Sequence, residues 1–176
     1  PALRQAHRAP RDSLTLGQHA SPGPRVAINA SYAGRQYAPT DPYQVGRAKV
    51  RELAAATAAT QPVHHDLVAA RAAGYPDLVA SPTFAVIIAQ AAEAQLIEDP
   101  DAGIDFSRVV HADERFTHTR PIVAGDEITT VLHVDSITER AGLAMVTTRC
   151  ELYGDATLTD HVATVRSTLA VRGEDA

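Results

Sequence analysis

The segment around two adjacent histidines is where the sequence most clearly offers acid–base chemistry. It runs Pro62-Val63-His64-His65-Asp66. Imidazole exchanges protons near neutral pH, so His64 is a candidate general acid or base. The alternative interpretation is a set of polar residues at a helix start, where such side chains cap backbone N–H groups. A metal site is disfavoured, because adjacent side chains diverge and no other segment supplies ligands at metal spacing.

A second polar segment, residues 111–118, alternates in the manner of a β-strand. Strand geometry predicts two faces, with His111, Asp113, Arg115 and Thr117 on one and Ala112, Glu114, Phe116 and His118 on the other. A network of paired side chains on the sheet face is the simplest account of this pattern.

Composition excludes several classes of function. The chain has 176 residues, a formal net charge of −5 and one cysteine, Cys150. A single cysteine excludes an intrachain disulfide framework and a multi-cysteine zinc site, and we expect Cys150 to lie in the core of a strand. Residues 1–25 carry four arginines and one aspartate, so the rest of the chain is strongly acidic. An acidic body argues against nucleic-acid binding, which needs clustered Lys and Arg.

The elements that would position these residues begin with helices. Apolar spacing predicts a helix over 45–59, ended by Pro62, and a shorter one over 66–73, ended by Gly74. A third helix follows Ser81 as its N-cap with Pro82 in its first turn, and it is apolar on nearly all sides. Its alanines could line a tunnel or pack tightly on a sheet, and the sequence leaves both open.

Strand patterns dominate the second half of the chain. Residues 31–37 are predicted to be extended, and four longer strands are predicted over 108–119, 126–138, 143–153 and 158–171. Gly125-Asp126, Ala141-Gly142 and Gly154-Asp155 supply the turns, so consecutive strands should be antiparallel. The order predicts an α+β fold in which an antiparallel sheet wraps a central α-helix.

The chain is predicted to hold one domain over residues 26–172. We expect residues 1–25, which are rich in proline, to be a disordered extension, and residues 173–176 to be a short tail. The longest uncharged stretch, 78–92, is too short to span a bilayer, so a cytoplasmic location is expected.

Several motifs resemble the MaoC-like hydratase and dehydratase family, whose members have the hot-dog fold. Family members carry G-D-x-N-P-(I/L)-H before the central helix, and here the corresponding residues are Ala58-Ala59-Thr60-Gln61-Pro62-Val63-His64. The segment Pro121-Ile122-Val123-Ala124-Gly125-Asp126 is similar to the family's P-(I/V)-x-x-G-D turn. Residues 40–52, TDPYQVGRAKVRE, resemble the opening of the partner subunits in actinobacterial (R)-3-hydroxyacyl-ACP dehydratases.

The departures from the family motif indicate impaired catalysis. In catalytic members an Asp and a His, five residues apart, hold the water that adds to the substrate or leaves it. His64 is kept, but Ala59 stands at the Asp position and Gln61 at the Asn position. Pro82 lies near the family's helix-start glycine and has no N–H to offer a thioester carbonyl.

The resemblance implies a subunit of a (R)-3-hydroxyacyl-thioester dehydratase, or (R)-specific enoyl-thioester hydratase, of fatty-acid metabolism. It would shape the substrate channel and stabilise a heterodimer with a catalytic MaoC-like partner, acting on acyl-ACP or acyl-CoA without cofactor or metal. His64 is the candidate catalytic residue, and the candidate substrate-binding residues are Gln61, Ser81, Thr83, Arg115 and Arg120, the two arginines contacting the carrier. The alternatives are a homodimeric enoyl-CoA hydratase using His64 and a non-enzymatic acyl-thioester binding module. Thioesterase activity through Asp113 or Glu114 is a further alternative.

Overall fold

The structure, a computed structural model, describes residues 28–140 and 142–173. Three α-helices and five strands occur in these ranges, together with short 3₁₀ turns. The helices are α1 (Arg47–Ala56), α2 (Leu67–Ala72) and α3 (Ala85–Ile97), and the strands are β1 (Tyr43–Gln44), β2 (Val109–His118), β3 (Glu127–Arg140), β4 (Leu143–Tyr153) and β5 (His161–Arg172).

The strands form one antiparallel sheet in the order β1-β3-β4-β5-β2. On β4 alternate residues are buried, from Ala144 through Thr148 to Leu152. This alternation gives the sheet one apolar face, which must be covered. Helix α3 covers it, and the predicted α+β hot-dog fold with a central helix is confirmed.

Helix α3 begins one turn later than its sequence signals indicate. Ser81 has extended backbone geometry and Pro82 follows it, but residues Pro82–Phe84 form a 3₁₀ turn before the α-helix proper. Ala85, Ala89 and Ala92 are fully buried, so they pack tightly, which is one of the two alternatives that the sequence left open. Within the described ranges, no helix has the length and apolar content needed to cross a bilayer.

Two local predictions are wrong. Residues 31–37 do not form one extended stretch, because Asn29 caps a 3₁₀ turn at Ala30–Tyr32 through its side chain. The regular alternation predicted for 111–118 is also broken, since β2 has a register shift between His111 and Asp113. This bulge brings the imidazole of His111 to the carboxylate of Glu114, with Nδ1 and Oε2 3.2 Å apart.

Other boundaries differ by a few residues. Helix α1 is shorter than predicted at both ends, and β5 starts at His161 rather than at 158. The predictions for residues 1–25 and for the C-terminal end lie mostly outside the described residues.

Candidate functional site

A cavity of about 400 Å³ lies where the segment before α3 meets the end of β2. Both polar and apolar side chains line it, and the polar ones come from three parts of the chain. The polar lining residues are Gln61, His64, Tyr75, Ser81, His118, Thr119 and Arg120. Four of the predicted site residues, Gln61, His64, Ser81 and Arg120, therefore lie together, whereas Thr83 and Arg115 are exposed residues outside the described lining.

The imidazole of His64 is buried and fixed in orientation. It ends the 3₁₀ turn Pro62–His64, and its Nδ1 lies 2.7 Å from the carbonyl oxygen of Val79. A carbonyl oxygen can only accept a hydrogen bond, so Nδ1 of His64 carries the proton and donates a hydrogen bond to the carbonyl of Val79. In the neutral ring Nε2 is then the basic nitrogen, available to a ligand in the cavity.

Ala59, the residue that the motif comparison aligns with the family's Asp, offers only its backbone here. Its carbonyl oxygen accepts a hydrogen bond from Nε2 of His65 at 2.7 Å. None of the described residues lining the cavity is an aspartate or a glutamate. His64 thus has an oriented imidazole without an acidic partner in the cavity.

The entrance to α3 presents a side-chain hydroxyl in place of a regular helix N-terminus. Ser81 is buried, and among the described residues its Oγ has no hydrogen-bond partner. The carbonyl of Ser81 accepts from the backbone N–H of Phe84 at 2.8 Å, and the carbonyl of Pro82 accepts from Nε2 of His118 at 2.8 Å. A buried hydroxyl without a partner is costly unless a ligand or water satisfies it, so Ser81 is the clearest polar anchor of the cavity.

Arg120 is held by two carboxylates. Its guanidinium lies 2.8 Å from Asp160 and 2.9 Å from Asp126, and these hydrogen bonds, that of Asp160 foremost, raise the pKa of Arg120 above its usual value. Arg115 is exposed on β2 and lies opposite Arg166 of β5. Arg120 therefore fastens the cavity wall to the turn before β3 and to the loop before β5.

A second cavity, of about 430 Å³, lies along α3 and contains a buried carboxylate that sequence reasoning missed. Glu93 is 1% exposed and accepts a hydrogen bond from the Thr148 hydroxyl at 2.5 Å. On β2, burial raises the pKa of Glu114, although hydrogen bonds from Ser167 and His111 oppose this shift. The apolar sequence around Glu93 gave no signal of a polar partner on β4.

Sequence reasoning also missed a hydrogen-bonded chain that starts at the first cavity. The hydroxyl of Thr119 lies 2.7 Å from Nδ1 of His161, and Nε2 of His161 lies 2.9 Å from Glu151. Nothing in the spacing of these residues brings them together before the strand register is known. Over the described residues no group of three or more His, Cys, Asp or Glu side chains is arranged to hold a metal.

Comparison with known proteins gives consistent results. Residues 31–164 match the family model described as the FAS1-like dehydratase domain region. A UPF0336 protein of Saccharopolyspora erythraea is 48% identical over 148 residues, which cover 84% of this chain and 94% of that protein. A UPF0336 protein of Clavibacter michiganensis is 49% identical over 151 residues, covering 86% of this chain and all of that protein.

Solved structures show the same architecture. The HadBC (3R-hydroxyacyl-ACP dehydratase) complex from Mycobacterium tuberculosis matches with a TM-score of 0.70 and 30% identity, over 79% of this chain and 96% of that one. The (R)-hydratase PhaJ1 from Pseudomonas aeruginosa matches with a TM-score of 0.56 over 81% of this chain and 83% of that one, and at 18% identity it supports the fold alone. The chain therefore belongs to the FAS1-like dehydratase domain family, as a MaoC-like hot-dog protein similar to the UPF0336 proteins.

Proposed function

We propose that this chain is the channel-shaping and stabilising subunit of a (R)-3-hydroxyacyl-thioester dehydratase, or enoyl-thioester hydratase. The partner would be a MaoC-like hot-dog protein that carries the intact Asp and His. In this proposal residues 26–172 form the hot-dog domain, and the pair interconverts (R)-3-hydroxyacyl and trans-2-enoyl thioesters.

One observation carries the proposal: the cavity keeps the oriented imidazole of His64 but has no carboxylate among its described lining residues. Adding water across an enoyl double bond needs a base to take a proton from water and an acid to deliver one. The imidazole of His64, whose Nδ1 proton is fixed by the Val79 carbonyl, supplies only part of that set. Losing one member of such a set lowers the rate by orders of magnitude in well-studied enzymes, so the partner would perform the chemistry.

The cavity is nevertheless suited to bind the thioester end of a substrate. The unpartnered hydroxyl of Ser81 could donate to a thioester carbonyl, which compensates for the missing N–H of Pro82. Gln61 lies at the exposed side of the same cavity and could contact the amide groups of the pantetheine arm. Thr83 and Arg115 lie outside the described lining, so a role for them would be in contacting a carrier at the surface.

The open edge of the sheet is the surface that we propose for the partner. In the described chain β2 pairs only with β5, so its other edge presents unpaired backbone groups. Val110 on β2 is 58% exposed, and Phe106 just before it is 64% exposed. An exposed strand edge flanked by large apolar side chains favours pairing with another strand.

Retention of His64 supports a second candidate function, a homodimeric hydratase in which Nε2 of His64 acts alone as the base. The two functions differ in the effect of removing this imidazole. In the heteromeric proposal His64→Ala leaves the hydration of crotonyl-CoA by the co-purified pair within about 3-fold, whereas Asp→Asn in the partner's motif lowers it by about 10³-fold or more.

The experiment is co-expression with a candidate partner, followed by assay of crotonyl and longer enoyl thioesters. His65→Ala is the matched control, since it removes the neighbouring imidazole that bonds to Ala59. A large loss on His64→Ala in the pair, with the partner's Asp→Asn variant still active, would overturn the heteromeric proposal and favour the homodimeric one. Acyl-thioester binding with no turnover in any pairing would leave only a binding module.

A further inference from the structure

The side chains of Thr119, His161 and Glu151 are linked by hydrogen bonds in the order of a nucleophile, a base and an orienting carboxylate. Oγ of Thr119 and Nδ1 of His161 are 2.7 Å apart, and Nε2 of His161 and Oε2 of Glu151 are 2.9 Å apart. Both distances are those of good hydrogen bonds. A hydroxyl bound to an imidazole that is itself bound to a carboxylate is the arrangement used to activate alcohol nucleophiles.

The direction of the hydrogen bonds follows from the state of Glu151. Burial raises the pKa of Glu151, but hydrogen bonds from Thr164, Arg149 and His161 outweigh this and lower it below its ordinary value. Glu151 is therefore ionised at neutral pH and accepts from Nε2–H of His161. In the neutral ring Nδ1 then has a lone pair, and the Thr119 hydroxyl must be the donor to it.

The imidazole and the carboxylate are held from several sides. Oγ1 of Thr164 donates to Glu151 at 2.6 Å, and Nη1 of Arg149 donates to its other oxygen at 2.5 Å. The ring of Tyr153 contacts the His161 ring edge-on, with centroids 5.6 Å apart. Such support keeps a base in position before a substrate arrives.

The hydroxyl end of the chain lies at the first cavity. Thr119 is exposed, lines that cavity together with Ser81 and His64, and is anchored by its backbone N–H to the carbonyl of Val162 at 2.9 Å. Glu151 and His161 lie behind it, on β4 and at the start of β5. Thr119 thus lies at the place where the proposed thioester would bind, with its hydroxyl hydrogen-bonded to the imidazole of His161.

We propose that Thr119 is the nucleophile of a thioester-hydrolysing activity of this chain, with His161 as its general base and Glu151 as the positioning residue. The inference rests on the proposed binding of an acyl thioester in the first cavity. It is independent of which subunit hydrates the double bond. The substrate class is an acyl thioester of coenzyme A or of a carrier, whose electrophilic carbonyl needs no double bond.

The reaction has two balanced steps. Oγ of Thr119 attacks the thioester carbonyl as its proton moves to Nδ1 of His161, the C–S bond breaks, and the leaving thiolate takes that proton. An acyl ester on Thr119 remains. Water then gives a proton to His161 and attacks the ester carbonyl, so that a carboxylic acid leaves and Oγ of Thr119 recovers its proton. The sum is thioester plus water to acid plus thiol.

The test uses the full chain with butyryl-CoA, a saturated thioester that cannot be hydrated, and measures release of free CoA. We expect Thr119→Val, which keeps the side-chain shape, to lower the rate at least about 100-fold, and Thr119→Ser to keep it within about 10-fold. Thr117→Val is the matched control, because Thr117 is an exposed threonine near the end of β2, two residues before Thr119, and lies outside the cavity lining. Intact mass after acid quench should show a butyryl adduct on the wild type and none on Thr119→Val.

The positioning role of Glu151 has its own readout. Glu151→Gln should lower kcat at least about 10-fold while KM stays within about 2-fold, since the acyl group does not touch it. The proposal is overturned if wild type releases no CoA above the buffer rate while still binding butyryl-CoA, or if Thr119→Val hydrolyses at the wild-type rate. In either case hydration of crotonyl-CoA by the pair would stand unaffected, so the two proposals fail separately.

Discussion

Single residues decide what the first cavity can do. His64 is oriented through the Val79 carbonyl, and under the proposed function the lack of a carboxylate among the described lining residues leaves the acid–base set incomplete. The hydroxyl-bearing residues Ser81 and Thr119 also line this cavity. We therefore propose thioester binding and nucleophilic attack at this cavity, with the acid–base carboxylate supplied by the partner.

Cys150 is expected to be inert in the native protein. It is 1% exposed on β4, its Sγ–H points to the carbonyl of Ala89, and burial raises the pKa of its thiol well above the usual range. Since the thiolate is the reactive form, iodoacetamide at pH 7.5 should label the folded chain at least about 10³-fold more slowly than the chain in guanidinium. Rapid labelling of the native protein would contradict the packing of α3 on β4.

At the scale of secondary-structure elements, two contacts support the cavities: one joins α3 to the sheet, and the other holds the segment that leads into α3. The buried carboxyl of Glu93 bonds α3 to β4 through Thr148. Arg47, at the start of α1, clamps Asp77, which directly precedes the strand-like segment that accepts from His64. Glu93 lines the second cavity, and Asp77 lies in sequence between Tyr75 and Val79 of the first cavity. Each contact therefore helps to hold one cavity wall in place.

Replacing Glu93 tests the first of these contacts. Glu93→Ala should lower the free energy of unfolding by about 2–4 kcal/mol, because it leaves the Thr148 hydroxyl unpaired and opens a space beside α3. Glu93→Gln keeps an acceptor of the same shape and should cost less than half as much. Urea unfolding measures both, and equal losses for the two variants would contradict the hydrogen-bond account.

The Arg47–Asp77 contact predicts a pH dependence. Hydrogen bonds from Nε and Nη2 of Arg47, at 2.8 and 2.6 Å, are the main reason that the pKa of Asp77 falls from 3.8 to about 2. A carboxyl whose pKa is lower in the folded state adds stability above its unfolded pKa, and this stability is lost as the pH falls through the folded value.

The corresponding variant is Asp77→Asn. Its Tm should lie below that of the wild type at pH 7, and the gap should close between pH 4 and pH 2. Glu52→Gln is the control, because Glu52 is 68% exposed beside Lys49 and such pairs contribute little. A Tm gap for Asp77→Asn that persists unchanged at pH 2 would show that the contact acts through shape alone.

Particular elements show which parts of the fold and of the site could be predicted from the sequence. The bounds of β4 are confirmed residue for residue, because glycines flank a clean alternation of buried and exposed positions. The bulge in β2 could not be predicted, because it depends on pairing with β5, which is distant in sequence. The late start of β5 was missed because the residues before it form a loop, in which the Asp155 side chain accepts from the backbone N–H of Thr159. The gathering of Gln61, His64 and Ser81 at one cavity followed from motif resemblance. The Thr119–His161 contact, 42 residues apart in sequence, could not be derived without the register.

At the scale of the whole molecule, the first cavity and the open sheet edge belong to one proposal. Under the proposed function the cavity would bind a thioester without a carboxylate among its described lining residues, and the β2 edge is unpaired in the described chain. The net charge of −5 means that an acidic carrier protein would be repelled by much of this surface. Both features favour a shared site, completed by a second hot-dog subunit.

The most direct test of this account is the rate at which the purified lone chain hydrates crotonyl-CoA, compared with its co-purified pair. Absorbance of the enoyl thioester follows the reaction. We predict that kcat/KM of the lone chain is at least about 10³-fold below that of the pair and that His64→Ala does not change the difference. A lone chain as fast as the pair, and inactivated by His64→Ala, would contradict it.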